Sequence, residues 1–186
     1  AQWRIVQMVF QAPFASLDPR YTVRATLAEV IRHHRLASGA ALRARCAELM
    51  EMVRLPEEFL DRTPTAMSGG QRQRVAIARA LAVEPSIIVA DEAVSALDVS
   101  VQAEIVALFA RLREELDLSI LFISHDLAVV KKLCERIYVI HNGRLVEENT
   151  TEEIFTSPRD DYTKTLLKAI PTFDSAYLDR IRRGEG

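Results

Sequence analysis

An acidic pair and a histidine each follow a short apolar run in this sequence. Asp91 and Glu92 come directly after the run at residues 86–90, and His125 follows the run at residues 119–124. A first carboxylate in such a position can hold Mg2+, directly or through water, and the next one can orient and polarise an attacking water. A histidine there can donate a hydrogen bond to a phosphoryl oxygen. The alternative for each is a solvated turn, which is the default interpretation of an isolated Asp-Glu pair or a lone loop histidine.

A serine, two glycines and a glutamine precede an apolar helical pattern that runs from Val75 to Val83. Glycine lets the backbone come close to a ligand, and the first amides of a helix are unpaired and point outward. The helix dipole adds positive potential at the same place, so this segment can cradle an anion. The alternative is a capping box, in which the serine caps the helix and the glutamine reaches back to it. The four residues concerned are Ser68, Gly69, Gly70 and Gln71.

Two further polar positions accompany these groups. Gln11 follows the first strand pattern of the chain, and Asp98 ends the segment Ser-Ala-Leu-Asp that comes shortly after Glu92. Taken alone, Asp98 is interpreted as the N-cap of the next helix, because Asp is among the residues preferred at that position.

The elements predicted around these residues alternate between strands and helices after an initial helical block. Residues 4–11 are predicted to form a strand, and residues 22–64 a helical block without strand signals. The two apolar runs predict strands buried on both faces, and Asn142-Gly143 predicts a hairpin turn. A further strand is predicted at 136–141, and helices are predicted at 99–116, 127–133, 150–155 and 162–170. Such a pattern indicates an α/β fold with a parallel sheet, in which ligands bind outside the carboxyl ends of the strands.

Composition narrows the possible function classes. The chain has 186 residues, of which 49% are hydrophobic and 27% charged, which suits one folded domain with a sizeable core. A formal net charge of −2 argues against a general nucleic-acid binder. Cys46 and Cys134 are interpreted as buried thiols in a reducing cytoplasm rather than as a disulfide. Since no apolar run approaches the roughly 18 residues of a membrane span, a membrane role is expected to come through a partner.

The order of the motifs resembles that of the ATP-binding-cassette (ABC) ATPases. The family's motifs, in chain order, are the Q-loop, the signature, Walker B, the D-loop and the H-loop. This sequence has, in the same order, Gln11 for the Q-loop, Ser-Gly-Gly-Gln for the signature, Asp-Glu for Walker B, Ser-Ala-Leu-Asp for the D-loop and Ser-His-Asp for the H-loop. The resemblance covers about residues 5–148 and is highly specific, because five motifs follow the family's order. It implies a P-loop NTPase-like parallel sheet flanked by helices, with an inserted helical subdomain.

Finer features resemble one branch of this family, the importers of oligopeptides and dipeptides. Residues 9–20 are similar to the extended Q-loop of that branch, and residues 154–167 are similar to its C-terminal segment. The resemblance also implies a division of the chain into a Q-loop strand and loop, a helical subdomain, the remaining ATPase core, and C-terminal helices with a tail. These four parts are predicted at residues 1–20, 21–64, 65–148 and 149–186.

The resemblance implies roles for individual residues. Asp91 serves Mg2+, Glu92 is the general base, and His125 holds the γ-phosphate of ATP. Gln11 senses Mg2+ and the γ-phosphate and couples to the membrane subunit, while Asp98 contacts the partner across a dimer. The signature residues clasp the γ-phosphate of ATP held by the opposing subunit; they are Ser68, Gly69, Gly70 and Gln71.

The sequence differs from the family pattern at three points, and each difference predicts a structural or functional consequence. Ala93-Val94 stands where the family usually has Pro-Thr, which predicts altered turn rigidity rather than lost chemistry. No G-x-x-x-x-G-K-[ST] phosphate loop (Walker A) occurs in the sequence, and the resemblance implies a place upstream of Gln11. The chain is therefore interpreted as an N-terminally truncated fragment that is inactive alone. A strand that the family has beside the one ending at His125 is also missing, which predicts an uncovered apolar face and self-association or a rearranged sheet.

The function that the resemblance implies is that of an ATP-hydrolysing importer subunit at the cytoplasmic face of the inner membrane. The implied partners are a second cassette, identical or paralogous, the permease subunits and, through the complex, an extracytoplasmic substrate-binding protein; nucleic acid is not among them. Two alternatives stay open. One is a non-catalytic partner that supplies its signature motif in trans, and the other is a soluble cassette ATPase of DNA repair or translation.

Overall fold

The computed structural model describes residues 4–11 and 17–169. The chain divides into two compact units, Ala1–Asp126 and Leu127–Gly186. Residues 1–3 and 12–16 of the predicted Q-loop strand and loop, and residues 170–186 of the predicted C-terminal part, lie outside the described residues. Within the described part of the chain, no helix combines the length and the apolar character needed to cross a membrane.

The first unit contains a three-stranded parallel sheet. Its strands are β1 (Val6–Phe10), β2 (Ile87–Asp91) and β3 (Ser119–Ile123), in the spatial order β1-β2-β3. The register aligns Phe10 with Asp91 and Asp91 with Ile123, so the carboxyl ends of all three strands lie at one level. The predicted parallel sheet is therefore confirmed, and it gathers the segments that follow the three strands along one edge.

The helices of the first unit surround the helix that begins with the signature residues. They are α1 (Val23–His33), α2 (Gly39–Met52), α3 (Gly69–Leu81) and α4 (Val99–Leu116), with 3-10 turns at Glu57–Asp61 and Pro64–Ala66. The predicted helical block is confirmed. Helix α3 contacts α1, α2, α4 and β1. Its apolar side chains, such as Val75 and Ile77, are fully buried, so the start of α3 rests on a rigid element.

One face of the three-stranded sheet is apolar and exposed. The side chains of Val6, Met8 and Phe10 on β1 and of Leu121 and Ile123 on β3 keep between 43% and 52% of their surface accessible. They point to the same side because alternate residues of a strand share a face. The opposite side is closed, since Val9, Ile88 and Ala90 are buried.

This exposure corrects a prediction. The run at residues 119–124 was expected to form a strand buried on both faces, and that expectation is wrong. In the described residues β3 pairs with β2 alone, and its burial alternates along the strand. Strand β2 is only half-buried on the same side, at Ile87 and Val89. A continuous apolar run shows that a segment is hydrophobic, but it does not show whether another element covers each face of the strand. The uncovered apolar face that the resemblance implies is confirmed.

The second unit is built around an antiparallel hairpin. Strands β4 (Arg136–His141) and β5 (Arg144–Thr150) pair across the predicted turn, in which Asn142 and Gly143 have φ of 50° and 73°. Both values lie in the left-handed region, as a tight type I′ hairpin requires. Helices α5 (Leu127–Leu133), α6 (Thr151–Thr156) and α7 (Asp161–Lys168) complete the unit. Its small core consists of Val130, Ile137, Val139 and Ile154.

The two cysteines differ in burial. Cys46 is buried in α2, as predicted, whereas Cys134 is only half-buried, and neither described thiol forms a disulfide. Burial raises the pKa of the Cys46 thiol, which keeps it protonated and unreactive. The pair therefore contributes packing rather than a cross-link.

Candidate active site

The carboxyl edge of the parallel sheet brings together four of the predicted site residues. Asp91 is the last residue of β2, Glu92 follows it, and Gln11 follows β1 directly. His125 lies two positions after the end of β3, and its Nδ1 lies 3.3 Å from Glu92 Oε1. The Glu92 amide also donates to the carbonyl of Ile123 at 2.9 Å. The general base and the histidine implied by the resemblance are thus neighbours at the ends of adjacent strands.

The contact between Glu92 and His125 constrains the protonation of the histidine. An ionised carboxylate only accepts hydrogen bonds, so the contact requires the proton on His125 Nδ1. In the neutral ring Nε2 is then an acceptor, and only the imidazolium donates from both nitrogens. The side chains are 72% and 34% exposed for His125 and Glu92, which leaves room for a ligand between them and solvent.

The backbone of Glu92 adopts a conformation that sequence patterns do not reveal. Its φ is 46°, in the left-handed region, where a residue other than glycine costs about 1 kcal/mol or more. The turn that follows holds it there: the Ser95 amide and hydroxyl both donate to the Glu92 carbonyl, at 3.1 and 3.0 Å. Ala93 and Val94, which replace the family's Pro-Thr, are buried. Hydrogen bonds and burial therefore define this turn without a proline.

The signature residues form a complete capping box at the start of α3. The Gln71 amide donates to Ser68 Oγ at 3.3 Å, and the Ser68 amide donates to Gln71 Oε1 at 2.9 Å. The structural alternative considered for this motif is therefore confirmed. It leaves the anion cradle intact, because neither the helix nor the capping box pairs the amides of Gly69 and Gly70. The two interpretations describe the same turn.

Two arginines that sequence reasoning missed hold the signature turn in place. Arg72 Nη1 donates to the carbonyls of Met67 and Pro64, which lie just before the turn. Arg74 Nη1 donates to the carbonyl of Val53 at 3.0 Å, beyond the end of α2. Both guanidinium groups are partly buried and bond main-chain oxygens, so they stiffen the approach to α3. Their signal in the sequence is weak, because an arginine in a helix is usually solvated.

Asp98 caps helix α4, as predicted. Its Oδ1 accepts hydrogen bonds from the Val101 amide at 3.0 Å and from the Ser100 hydroxyl at 2.7 Å. These donors lower the pKa of Asp98, the Val101 amide most strongly. The carboxylate is nevertheless exposed, so it can also meet a partner.

A third residue that sequence reasoning missed, Gln102, donates from Nε2 to Asp126 Oδ2 at 2.9 Å.

The predicted site residues fall into two separate groups within the first unit. One group lies at the carboxyl edge of the sheet and consists of Gln11, Asp91, Glu92 and His125. The other consists of the signature turn and Asp98, since the two signature glycines face Leu97 and Val101, which lie on either side of Asp98 in the chain. Among the described residues, no hydrogen bond joins the signature residues to Glu92 or His125.

The chain matches the sequence profile described as ABC transporter over residues 2–95. The chain belongs to the ABC transporter family. A second profile, described as the C-terminal region of oligopeptide/dipeptide transporters, matches residues 146–186. The family assigned from the order of motifs and its peptide-transporter branch are therefore both confirmed.

Individual proteins similar to this chain are also named as ATP-binding proteins of peptide transport. The oligopeptide transport ATP-binding protein OppF of Bacillus subtilis (strain 168) is 49% identical over 182 residues, which are 97% of this chain and 60% of OppF. OppF of Lactococcus lactis subsp. lactis is 47% identical over 169 residues, 91% of this chain and 53% of that protein. A putative peptide import ATP-binding protein of Brucella ovis is 47% identical, with 93% and 55% covered. The chain thus spans between 53% and 60% of the length of these relatives.

Solved structures agree with the fold. The ATP-binding cassette MJ0796, determined as a dimer in a post-hydrolysis state bound to ADP and Pi, superposes with a TM-score of 0.67 at 35% identity, covering 81% of this chain and 65% of that one. The structure of cbiO1 from Clostridium perfringens, part of the ABC transporter complex cbiONQ, gives a TM-score of 0.73 at 24% identity, with 91% and 65% covered. The predicted P-loop NTPase-like α/β fold is confirmed.

Mg2+ would fit the donors at the sheet edge of this ABC chain. Mg2+ prefers oxygen ligands and is usually held by one or two carboxylates together with phosphate oxygens and water. The half-buried Asp91 carboxylate and the amide oxygen of Gln11 are such donors, at the ends of adjacent strands. In the described residues no group of three or more His, Cys, Asp or Glu side chains is arranged around a metal position. The donor set therefore suits an ion that is completed by nucleotide phosphates.

Replacing Ser68 with alanine is expected to lower the free energy of unfolding by about 1 kcal/mol, because the Gln71 amide loses its cap. Urea unfolding of the chain measures the loss. Ser38 provides the matched control, since it is the N-cap residue of α2 but makes no side-chain capping bond. Ser38→Ala should therefore change stability several-fold less. Equal losses for the two variants would contradict a specific role for the signature capping box.

Proposed function

We propose that this chain is part of an ABC ATPase subunit that hydrolyses ATP to energise the import of oligopeptides or dipeptides. The observation that carries the proposal is the contact between Glu92 and His125 at the ends of adjacent parallel strands, next to Asp91. This arrangement provides a carboxylate for a water and a nitrogen for a phosphoryl oxygen at one edge. The peptide-transport names of the relatives and the match at residues 146–186 support the cargo class.

In the proposed reaction Glu92 orients a water and accepts its proton as the water oxygen bonds to the γ-phosphorus, while the bond between the γ-phosphorus and the β,γ-bridging oxygen breaks and ADP leaves. His125 Nε2–H donates a hydrogen bond to a γ-phosphate oxygen and its Nδ1–H donates to Glu92 Oε1, which leaves Glu92 Oε2 to accept the proton of the water. Catalysis of phosphoryl transfer rests on positioning and charge neutralisation rather than on covalent chemistry. Asp91 and Gln11 would hold Mg2+, which supplies positive charge to the phosphate oxygens when it is bound.

The signature turn acts on a second nucleotide in this proposal. The amides of Gly69 and Gly70, with the side chains of Ser68 and Gln71, clasp the γ-phosphate of ATP held by the opposing subunit. Asp98 contacts the same partner across the dimer. Within the described residues the signature turn makes no hydrogen bond to Glu92 or His125, and the first amides of its helix are unpaired, so the turn can serve a nucleotide other than the one at the sheet edge.

The proposed partners follow from this role. They are a second cassette, identical or paralogous, the permease subunits, and an extracytoplasmic substrate-binding protein that reaches the chain through the complex. The proposed location is the cytoplasmic face of the inner membrane, with no membrane span contributed by the described residues. Nucleic acid is not a proposed partner, in keeping with the formal net charge of −2.

Reconstitution tests the proposed function. The complete subunit that carries this sequence is combined with its permease in liposomes, and ATP hydrolysis is measured with and without an oligopeptide-loaded binding protein. The expected result is hydrolysis that depends on Mg2+ and rises several-fold with loaded binding protein. Hydrolysis that ignores the permease and the peptide, or that responds to DNA or RNA instead, would overturn the proposal.

A second function, a non-catalytic partner that lends its signature in trans, is favoured by one specific observation. The signature turn is fully capped and held by arginines, so it is formed within this chain and can be presented to a nucleotide that another cassette holds.

We expect the 186-residue chain alone to release no phosphate from Mg-ATP above background, because it lacks the phosphate loop. When mixed with a cassette that has an intact phosphate loop but a disabled signature serine, it should restore part of the hydrolysis. A colorimetric phosphate assay measures both. The chain carrying Gly70→Ala is the control for the mixture. Magnesium-dependent release by the chain alone that Glu92→Gln abolishes would refute the first expectation.

A further inference from the structure

The second glycine of the signature turn is packed against helix α4. A Cβ built at Gly70 would lie 2.4 Å from Val101 Cγ1, a distance that Cβ atoms essentially never show. Gly70 is buried within the first turn of α3, and its φ is not in the left-handed region. The need for glycine at this position is therefore one of space and not of backbone freedom.

The first signature glycine is in a different situation. A Cβ at Gly69 would meet Leu97 Cδ2 at 3.3 Å, the end of a flexible side chain. Leu97 can give way by a few tenths of an ångström, whereas Val101 is β-branched and its χ1 is restricted in a helix. The contact that matters for positioning is therefore the one between Gly70 and Val101.

Val101 also holds Asp98. Its amide donates to Asp98 Oδ1 at 3.0 Å, so one residue contacts the signature turn through its side chain and the D-loop carboxylate through its main chain. One turn further along, Arg74 Nη2 on α3 meets Glu104 Oε2 on α4 at 2.8 Å. The start of α3 and the start of α4 are thus joined at two successive levels.

We propose that Val101 is a positioning residue that fixes the signature turn to Asp98, so that these two groups move as one body. The functional consequence rests on the proposed function, in which both groups act on the opposing subunit. A partner that engages Asp98 would then set the position of the Gly70 amide before ATP is clasped. The steric link itself does not depend on any activity.

A double-mutant cycle on the chain tests the link. Gly70→Ala is expected to lower the folding equilibrium constant about tenfold or more, because its methyl overpacks against Val101. In a Val101→Ala background the nearest remaining Val101 atom is Cβ, at 3.7 Å, which is an ordinary contact. Gly70→Ala should then be neutral or stabilising, since alanine favours a helix over glycine. Equal costs of Gly70→Ala in both backgrounds would overturn the proposal.

Gly69→Ala is the matched control, because it adds the same methyl one residue earlier. We expect it to cost only a few-fold in the folding constant and to add independently to Val101→Ala. If Gly69→Ala were rescued by Val101→Ala as well, the rescue would reflect general loosening and the specific contact would be disproved. Urea unfolding provides every value, and a variant that is already unfolded without urea sets a lower bound on its cost.

Hydrogen exchange separates positioning from a merely structural role. Asp98→Asn is introduced with Val101 present and with Val101→Ala, and the exchange of amides 69–72 is measured by mass spectrometry. The substitution at Asp98 should change this exchange several-fold only when Val101 is present. Asp117→Asn, at the other end of α4, is the control and should leave it unchanged. An equal response in both backgrounds would contradict the proposal, and neither outcome bears on whether the complete subunit hydrolyses ATP.

Discussion

Glu92→Gln is expected to lower the rate of ATP hydrolysis by the complete subunit about 100-fold or more, because general-base catalysis typically contributes at least that factor. Glutamine keeps the length and shape of the side chain but cannot take the proton of an attacking water. It can still meet His125, since the amide of glutamine both donates and accepts hydrogen bonds. The variant should therefore bind ATP as tightly as the unchanged protein. Phosphate release under saturating Mg-ATP gives the rate, and equilibrium binding of a fluorescent ATP analogue gives the affinity.

Glu114→Gln is the control for this change, because Glu114 is an exposed residue of α4 that belongs to neither group of site residues. It should hydrolyse ATP at the unchanged rate. Both variants should unfold at the same urea concentration as the parent, which excludes a folding defect. If Glu92→Gln kept more than about a tenth of the rate, the base would have to be sought elsewhere on the sheet edge.

Leu121→Lys is expected to convert the isolated chain from a self-associated form to a monomer of 20.9 kDa. Leu121 is the central residue of the edge strand β3 and is 52% accessible, and it is aligned with Val89 on β2 and Met8 on β1 across the exposed apolar face. Two copies can cover these faces by packing sheet on sheet. The formal net charge of −2 opposes this only weakly, whereas a lysine from each copy would be buried without a partner. Light scattering at several protein concentrations measures the mass.

Leu145→Lys is the matched control for Leu121→Lys. Leu145 is also a strand leucine, is 55% accessible, and lies on β5 in the other unit. It should leave the association unchanged. If the unchanged chain scattered as a monomer, or if the two substitutions had equal effects, the apolar face of the three-stranded sheet would not be the contact surface.

Helices and strands that depend on interactions between nearby residues were predicted correctly, whereas features that depend on distant residues were not. Helix α4 and strand β4 were predicted over the same residues that the structure shows, at 99–116 and 136–141. Both depend on local patterns, namely apolar spacing, an Asp N-cap and a two-residue turn of Asn and Gly. The burial of β3 was not predictable in this way, because the same apolar run suits a covered or an uncovered face.

The features of the candidate site also differ in whether local sequence or distant contacts determine them. The sequence by itself determined the chemical groups, their order and therefore the family, since five motifs in one order are carried by the chain itself. It also determined the capping box and the Asp98 cap, because each joins residues within one helical turn. Only the tertiary structure decided that Glu92 lies beside His125, that its backbone is left-handed, and that Gly70 has no room for a methyl group beside Val101. The two contacts join segments far apart in the chain, and the Glu92 backbone is held both by the following turn and by the distant hydrogen bond from its amide to Ile123. No local pattern of residues encodes these distant contacts.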